Sequence, residues 1–355
     1  MKQLWKKNLI DIAPYVPGEQ SEETGIVKLN ANENPYPPSP KATAVLRAFD
    51  TETLRLYPDA NGSALKQAIA DFYGVEKDNV FLGNGSDDVI ALAFRTFFNG
   101  ELPIVFPDIT YSFYPVWCSF FKIPYETLKL DETFRIHPAD YAAPNGGVVI
   151  PNPNAPTGIG EGERFVREIL ENNPDSVVII DEAYADFSGY SCTGLTSRFD
   201  NLLVTGTFSK SRSLAGLRIG FAIGNTALIS ALESVKNSFN SYTMDSIAMA
   251  AGKASMEDTE YFEKTVNRVC ATRERVADAL RDLGFLVPPS GTNFLFVTHP
   301  KAAAKPLFAY LRSKKVFVRY FDQPRIDNHL RISVGTDAEM DTFLAAVKAF
   351  FSENF

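Results

Sequence analysis

The sequence predicts an α/β protein: a large unit built on a mostly parallel mixed sheet flanked by helices, with a small α/β unit beside it. Three observations carry this. Short apolar runs alternate with segments of helical periodicity between residues 63 and 224. One run, in SVVIIDEAY at 176–184, is continuously apolar, as befits a strand covered on both faces. Several runs end in polar clusters, and in an open α/β sheet such clusters form the ligand crevice just past the carboxyl ends of the strands.

The elements follow in order. The first forty residues are rich in Pro and Asn, with LNANENPYPPSP at 29–40. That proline density forbids regular helix and predicts an extended arm, stable only when laid on its own domain or on a partner subunit. SALKQAIADFYG (63–74) has helical spacing and a stop at Gly74. VFLGNG (80–85) reads as a strand, after which Ser86 is expected to cap the helix SDDVIALAFRTFF. PIVFP (103–107), GGVVIPNP (146–153), SVVIIDEAY, NLLVTGTFSK (201–210) and LRIGFAIG (217–224) are the further strands. From about 226 to 283 the pattern is helical, ending at Gly284. Beyond it, TNFLFVT (292–298), KVFVRYF (315–321) and HLRISVG (329–335) read as strands, with KAAAKPLFAYLRS and AEMDTFLAAVKAFF as their helices. The expected division is an amino-terminal arm at 1–45 that joins the small unit, a large unit at 46–284 and the small unit at 285–355.

Composition narrows the function. Among 355 residues, 45% are hydrophobic and 22% charged, which rules out wholesale disorder. The 35 Lys and Arg against 43 Asp and Glu leave a net charge of −8, so neither nucleic acid nor an acidic membrane is an expected partner. The three cysteines are widely spaced and odd in number, which fits a reducing compartment rather than a disulfide framework. Three histidines with no HExxH pattern give no metal site. The amino end lacks an apolar signal core, and no apolar run approaches the ~18 residues of a membrane span, so a cytoplasmic protein is expected.

The residues at the strand ends suggest one chemistry. They include a lysine (Lys210) flanked by the hydroxyls of Thr207, Ser209 and Ser211, a carboxylate (Asp181), a phenol three residues on (Tyr184) and a guanidinium (Arg218). Gly85, Ser86 and Asp87 open a helix whose first N–H groups are free. A phosphate suits the helix end, the hydroxyls and the arginine fork. A lysine beside a phosphorylated aldehyde suits a Schiff base. A buried aspartate suits a protonated ring nitrogen, because each charge offsets the other's desolvation. Together these are the needs of pyridoxal phosphate. Taken singly each has an ordinary reading: a surface lysine, a turn-capping aspartate, a core tyrosine, an arginine in a surface ion pair.

In order along the chain, NAPTG (154–158), DEAYADF (181–187) and TFSKSRSLAGLRIGF (207–221) resemble the signatures of the fold-type I pyridoxal-phosphate aminotransferases. The last is the most specific, with Arg218 eight residues after Lys210. The likeness runs from LNANENPYPPSP to LRISVGT. Within that group ANENPYPPSP, LRLYPDANGSALKQAIADFYG, VFVRYF and HLRISVGT most resemble the histidinol-phosphate aminotransferases.

That resemblance implies a set of roles. Lys210 holds pyridoxal 5′-phosphate as an internal aldimine and later shuttles the proton. Asp181 pairs with the pyridinium nitrogen, and Tyr184 hydrogen-bonds the ring oxygen. Ser209 and Arg218 hold the phosphate with Thr207, Gly85, Ser86 and the backbone N–H of Asp87. Tyr111 stacks on the ring. Tyr57 reaches the neighbouring subunit's cofactor, which makes a homodimer with shared sites. Arg319 and Arg331 bind the anionic end of histidinol phosphate or of glutamate and 2-oxoglutarate, Tyr15 closes over it, and Asn293 lines the pocket. One departure stands out. The family's asparagine directly before the proline is Ala155 here. Either Asn154 supplies the amide, or Tyr184 acts alone or with water.

Competing readings on the same scaffold are a decarboxylase of a phosphorylated amino acid, such as threonine phosphate, and an aromatic or broad-range aminotransferase. A binding or regulatory protein without turnover is disfavoured because Lys210 and Asp181 are both retained. A nicotinamide enzyme is disfavoured because GIGEGE (158–163) lacks the GxGxxG spacing.

Overall fold

The computed structural model describes residues 4–10, 12–15, 19 and 23–354. Its centre is a seven-stranded sheet in the order Val80–Gly83, Gly220–Gly224, Leu202–Thr207, Val178–Asp181, Gly147–Pro151, Ile104–Pro107, Tyr125–Leu128. Gly220–Gly224 runs antiparallel to both neighbours, and every other pairing is parallel. The apolar run of Val178–Asp181 is buried at all four positions, as its two covered faces require. Helices lie on both sides. Ser86–Phe97 and Tyr114–Phe121 pack with Phe81, Val149 and Ile179 on one face. Glu163–Asn172 packs with Val148, Ile150 and Ile180 on the other.

Register gathers the functional ends. Pro151 lies opposite Asp181, Asp181 opposite Thr205, and Thr207 opposite Gly220. Because Gly220–Gly224 is antiparallel, it begins where its parallel neighbours end. Arg218, just before it, therefore reaches the same edge as Asp181 and the loop that follows Thr207.

The second sheet has three antiparallel strands, Arg319–Tyr320, Leu330–Ser333 and Phe294–Val297. The segment expected as one strand at 315–321 is divided. Val316–Phe317 pairs in parallel with Val27–Lys28 of the arm, while Arg319–Tyr320 pairs with Leu330–Ser333. The arm is thus laid on the small unit, and Leu29, 1% exposed, enters its core. That core also takes Val276, Ala277 and Leu280 from the helix Thr259–Asp282, so this helix serves both units.

Two local expectations are corrected. Ser86 does not cap the helix: Gly85 is the N-cap, with φ 89°, and Ser86 is the first helical residue, with no side-chain cap. The strand Tyr125–Leu128 has no counterpart in the sequence reading. It is an edge strand with three exposed residues, so it lacks the apolar signature of the others. Among the described residues no helix is long and apolar enough to cross a membrane.

Candidate active site

A cavity of about 290 Å³ opens between the carboxyl edge of the large sheet, the small sheet and the arm. Twelve of the sixteen residues expected at the site line it: Lys210, Asp181, Tyr184, Ser209, Thr207, Arg218, Ser86, Asp87, Tyr111, Tyr15, Arg319 and Arg331.

Asp181 ends its strand with the carboxylate fully buried. Its Oδ2 accepts a 2.8 Å hydrogen bond from the Tyr114 hydroxyl, and Oδ1 accepts from the Ala183 N–H at 3.2 Å. Burial outweighs these donors and pushes the carboxyl up to about 6. A cation in the cavity would reverse that balance. Tyr114 was missed in the sequence, although it stands three residues after Tyr111, at the start of the helix Tyr114–Phe121, and is wholly buried. The Lys210 ammonium lies 5.7 Å from the centre of the Tyr184 ring. The arm clasps the lysine loop, since Asn34 Nδ2 donates to the carbonyls of Lys210 and Ser211 at 3.0 and 3.1 Å.

The phosphate-sized corner is built from three segments. Arg218 holds a left-handed backbone, φ 51°, a conformation costing a non-glycine residue about 1 kcal/mol and a common mark of functional sites. Its guanidinium meets Asp87 Oδ2 at 3.3 Å and Ser209 Oγ at 3.5 Å. Asp87 Oδ1 accepts from the Tyr111 hydroxyl at 2.9 Å, so the carboxylate is turned towards these partners. Thr207 Oγ1 accepts the Ser209 N–H at 3.1 Å and thereby shapes the loop.

At the opposite wall, Arg319 and Arg331 are direct cross-strand partners. Like charges so placed destabilise a sheet pair by roughly 0.2–1 kcal/mol, and an anion between them removes that cost. Arg331 donates to the Asn30 carbonyl at 3.1 Å, its buried Nε has no partner, and burial holds its pKa below the usual arginine value. The Tyr15 ring stacks on Phe113 at 4.5 Å, bringing the arm over the cavity mouth.

Four expected residues do not line the cavity. Asn154 is turned away: its amide donates to the Ile109 carbonyl and to Thr157 Oγ1, both at 3.0 Å, and so braces the loop. Ala155 takes the lining position instead. Asn293 is fully buried and donates to the Asn32 carbonyl at 2.9 Å, supporting the arm rather than facing a ligand. Gly85 gives room, since a Cβ there would stand 2.5 Å from Arg218 Nη2. Tyr57 is 82% exposed and stacks on Tyr242 at 4.6 Å, outside its own chain's cavity. Lining residues that sequence reasoning did not single out include Asn30, Asn32 and Phe321; the signal available was their place in the segments LNANENPYPPSP and VFVRYF.

The donor set fits pyridoxal phosphate. It offers an amine for the aldehyde, a desolvated carboxylate for a ring cation, a phenol for the ring oxygen, an aromatic wall in Tyr111, and a corner of N–H, hydroxyl and guanidinium groups for the phosphate.

The family model for aminotransferase class I and II matches residues 24–347. The histidinol-phosphate aminotransferase of Pseudomonas syringae pv. syringae is 53% identical over 344 residues, 97% of this chain and 98% of that protein. That of Lactococcus lactis subsp. cremoris is 49% identical over 346 residues, 98% of this chain and 97% of that protein. The crystal structure of histidinol-phosphate aminotransferase from Sinorhizobium meliloti in complex with pyridoxal-5′-phosphate superimposes with a TM-score of 0.81 at 24% identity, covering 91% of each chain.

Proposed function

The chain belongs to the class I and II aminotransferases and, among them, to the histidinol-phosphate aminotransferases, and from that premise we propose how its residues carry the reaction. It transfers the amino group of L-histidinol phosphate to 2-oxoglutarate, giving imidazole acetol phosphate and glutamate, in histidine biosynthesis, with pyridoxal 5′-phosphate as cofactor. When bound, that cofactor supplies an aldehyde that captures amines and a ring that accepts the electron pair of the carbon losing its proton.

Lys210 is the amine that anchors the aldehyde. Its Nζ, when not engaged with the aldehyde, would be the base that takes the proton from the substrate carbon and the acid that gives it back. Asp181, held by Tyr114, would keep the ring nitrogen charged, since a cation and a carboxylate paired away from water offset each other's desolvation. Tyr184 donates to the ring oxygen. Ser209, Thr207, Arg218 and the first N–H groups of the helix Ser86–Phe97 hold the phosphate. Tyr111 covers the ring face. Arg319 and Arg331 grip the phosphate of one substrate and the carboxylate of the other, because a planar fork suits both anions. One pocket then serves two half-reactions in turn, which predicts ping-pong kinetics.

The same reading gives a large cofactor-binding domain at 46–284, a small domain at 285–355 joined by the arm at 1–45, and a cytoplasmic homodimer. Tyr57 supports the shared site: it stands exposed with Tyr242, Phe239, Leu54 and Leu56, all large and apolar, on a face that a second copy would cover.

The observation that carries the proposal is that Lys210 and Asp181 line one cavity with the paired arginines opposite. The test is an absorption spectrum of the purified enzyme titrated with histidinol phosphate. The visible band should bleach and return on adding 2-oxoglutarate, and Lys210→Ala should lack it. A full band and full turnover in Lys210→Ala would refute the assignment.

A further inference from the structure

The loss of an amide at Ala155 leaves the ring-oxygen wall with one donor fewer than the family pattern, and the structure shows an asparagine from elsewhere close by. Asn32 comes from the arm, 152 residues from Tyr184 in the chain, and its Nδ2 lies 2.9 Å from the Tyr184 hydroxyl. It is 1% exposed. Its backbone is left-handed, φ 54°, a conformation asparagine adopts more readily than most residues.

The direction of this hydrogen bond follows from how the amide is placed, with Nδ2 towards the Tyr184 hydroxyl and Oδ1 towards Ser333 Oγ. The Asn32 N–H donates to Ser333 Oγ at 2.8 Å, and Ser333 Oγ lies 3.0 Å from Asn32 Oδ1. In this placement the serine hydroxyl accepts the Asn32 N–H and gives its own proton to the amide oxygen, and the NH₂ group faces Tyr184. The Asn32 carbonyl is held in turn by Asn293. Tyr184 is equally constrained, its ring set perpendicular against Phe294 at 5.2 Å. The phenol oxygen is therefore an acceptor towards Asn32. Its single proton is left for another acceptor, and Tyr184 lines the cavity.

We propose that Asn32 is a positioning residue that aims the phenolic proton of Tyr184 into the cavity, compensating for the amide absent at Ala155. The proposal rests on the reading of Tyr184 as donor to the cofactor's ring oxygen. It also gives the fully buried Asn293 and Ser333 a purpose: they hold the arm so that one amide points one way.

The test uses the pH titration of the loaded enzyme's visible absorption. A donor to the ring oxygen stabilises the deprotonated form and holds the midpoint down. Losing a hydrogen bond to a charged oxygen moves such a midpoint by about one pH unit. Asn32→Asp keeps the shape and tolerates the left-handed backbone but presents an acceptor, which draws the Tyr184 proton out of the cavity. Its midpoint should rise by about one pH unit, as in Tyr184→Phe. Asn32→Gly suits the backbone and adds no charge, and its midpoint should rise by a smaller amount. In a Tyr184→Phe background Asn32→Gly should not move the midpoint further, and Asn32→Asp should move it by less than half its shift with the phenol present. Thermal melting checks that each variant is folded, and either Asn32 variant alone suffices. Midpoints unchanged in the folded Asn32 variants, beside a shifted Tyr184→Phe, would overturn the role of Asn32. So would shifts that persist in full without the phenol, since these would come from charge or packing. An unchanged midpoint in Tyr184→Phe itself would overturn the reading of Tyr184 and the proposal with it.

Discussion

Asp181→Asn should stabilise the cofactor-free protein while abolishing its activity, and the size of the gain follows from burial. The carboxyl is buried, and desolvation raises it from 3.8 to about 6 despite donors from Tyr114 and Ala183. A raised carboxyl contributes its full stability below the pH of the unfolded group and loses it as pH climbs through the folded value. At pH 8 the ionised form therefore costs the cofactor-free fold on the order of 3 kcal/mol. An amide at this position carries no charge and still accepts the Tyr114 hydrogen bond. The variant should melt above the wild type at pH 8 by about 4 °C, and the gap should close as pH falls from 6 to 4. Glu182, pushed up to about 7 by its own burial, is common to both proteins and cancels in the comparison. Adding pyridoxal phosphate should restore the wild type's advantage, since only a carboxylate pairs with a ring cation. Melting curves of both proteins, with and without cofactor across this range, test the claim. A gap independent of pH, or a cofactor-free wild type that outlasts the variant at pH 8, would refute the argument.

Three further outcomes are expected. Arg331→Ala should raise KM for both substrates by ~30-fold, the equivalent of a charge-assisted contact worth about 2 kcal/mol; steady-state kinetics showing only one substrate affected would contradict a shared anion clamp. Gly85→Ala should weaken cofactor retention, because its Cβ would push into the Arg218 guanidinium at 2.5 Å; the fraction of visible absorbance surviving gel filtration measures it. Mixing Tyr57→Phe with Lys210→Ala protomers should yield more activity than the average of the two parents, since one site of each mixed dimer would have both residues intact. Activity equal to that average would place Tyr57 outside the partner's site.

The frame of the fold was legible because its signals are local. The apolar run before Asp181 announces a strand covered on both faces, and the strand-end rule places Asp181, Thr207 and Lys210 on one edge. The topology adds why Arg218 joins them, since the antiparallel strand it precedes starts at that edge. What could not be read was which way a polar side chain turns. Asn154 and Asn293 look like pocket residues by motif, yet both amide nitrogens donate to carbonyls, 45 and 261 residues away in the chain. Asn32 sits inside the ANENPYPPSP segment and Tyr114 in none of the motif segments, but both acquire their partners only through tertiary contact, at Tyr184 and Asp181. The edge strand Tyr125–Leu128 was invisible for the opposite reason: an exposed strand has no burial pattern to detect.

The proposed anion clamp bears on specificity. Arg319 and Arg331 are fixed by strand register, so they present the same charge to every substrate and cannot by themselves separate a phosphate ester from a carboxylate. Discrimination then falls to the remaining walls. Tyr15 and Tyr111 line the cavity, and Phe113 and Trp117 stack behind Tyr15, Phe113 on Trp117 at 4.6 Å. A flat aromatic side group on the substrate would gain contact against such rings, whereas the short chain of 2-oxoglutarate would not reach them. On this reading Tyr15→Ala should raise KM for histidinol phosphate well above any change for 2-oxoglutarate. An equal rise for both substrates would assign Tyr15 to the anion clamp instead, and leave the aromatic wall without a part in selection.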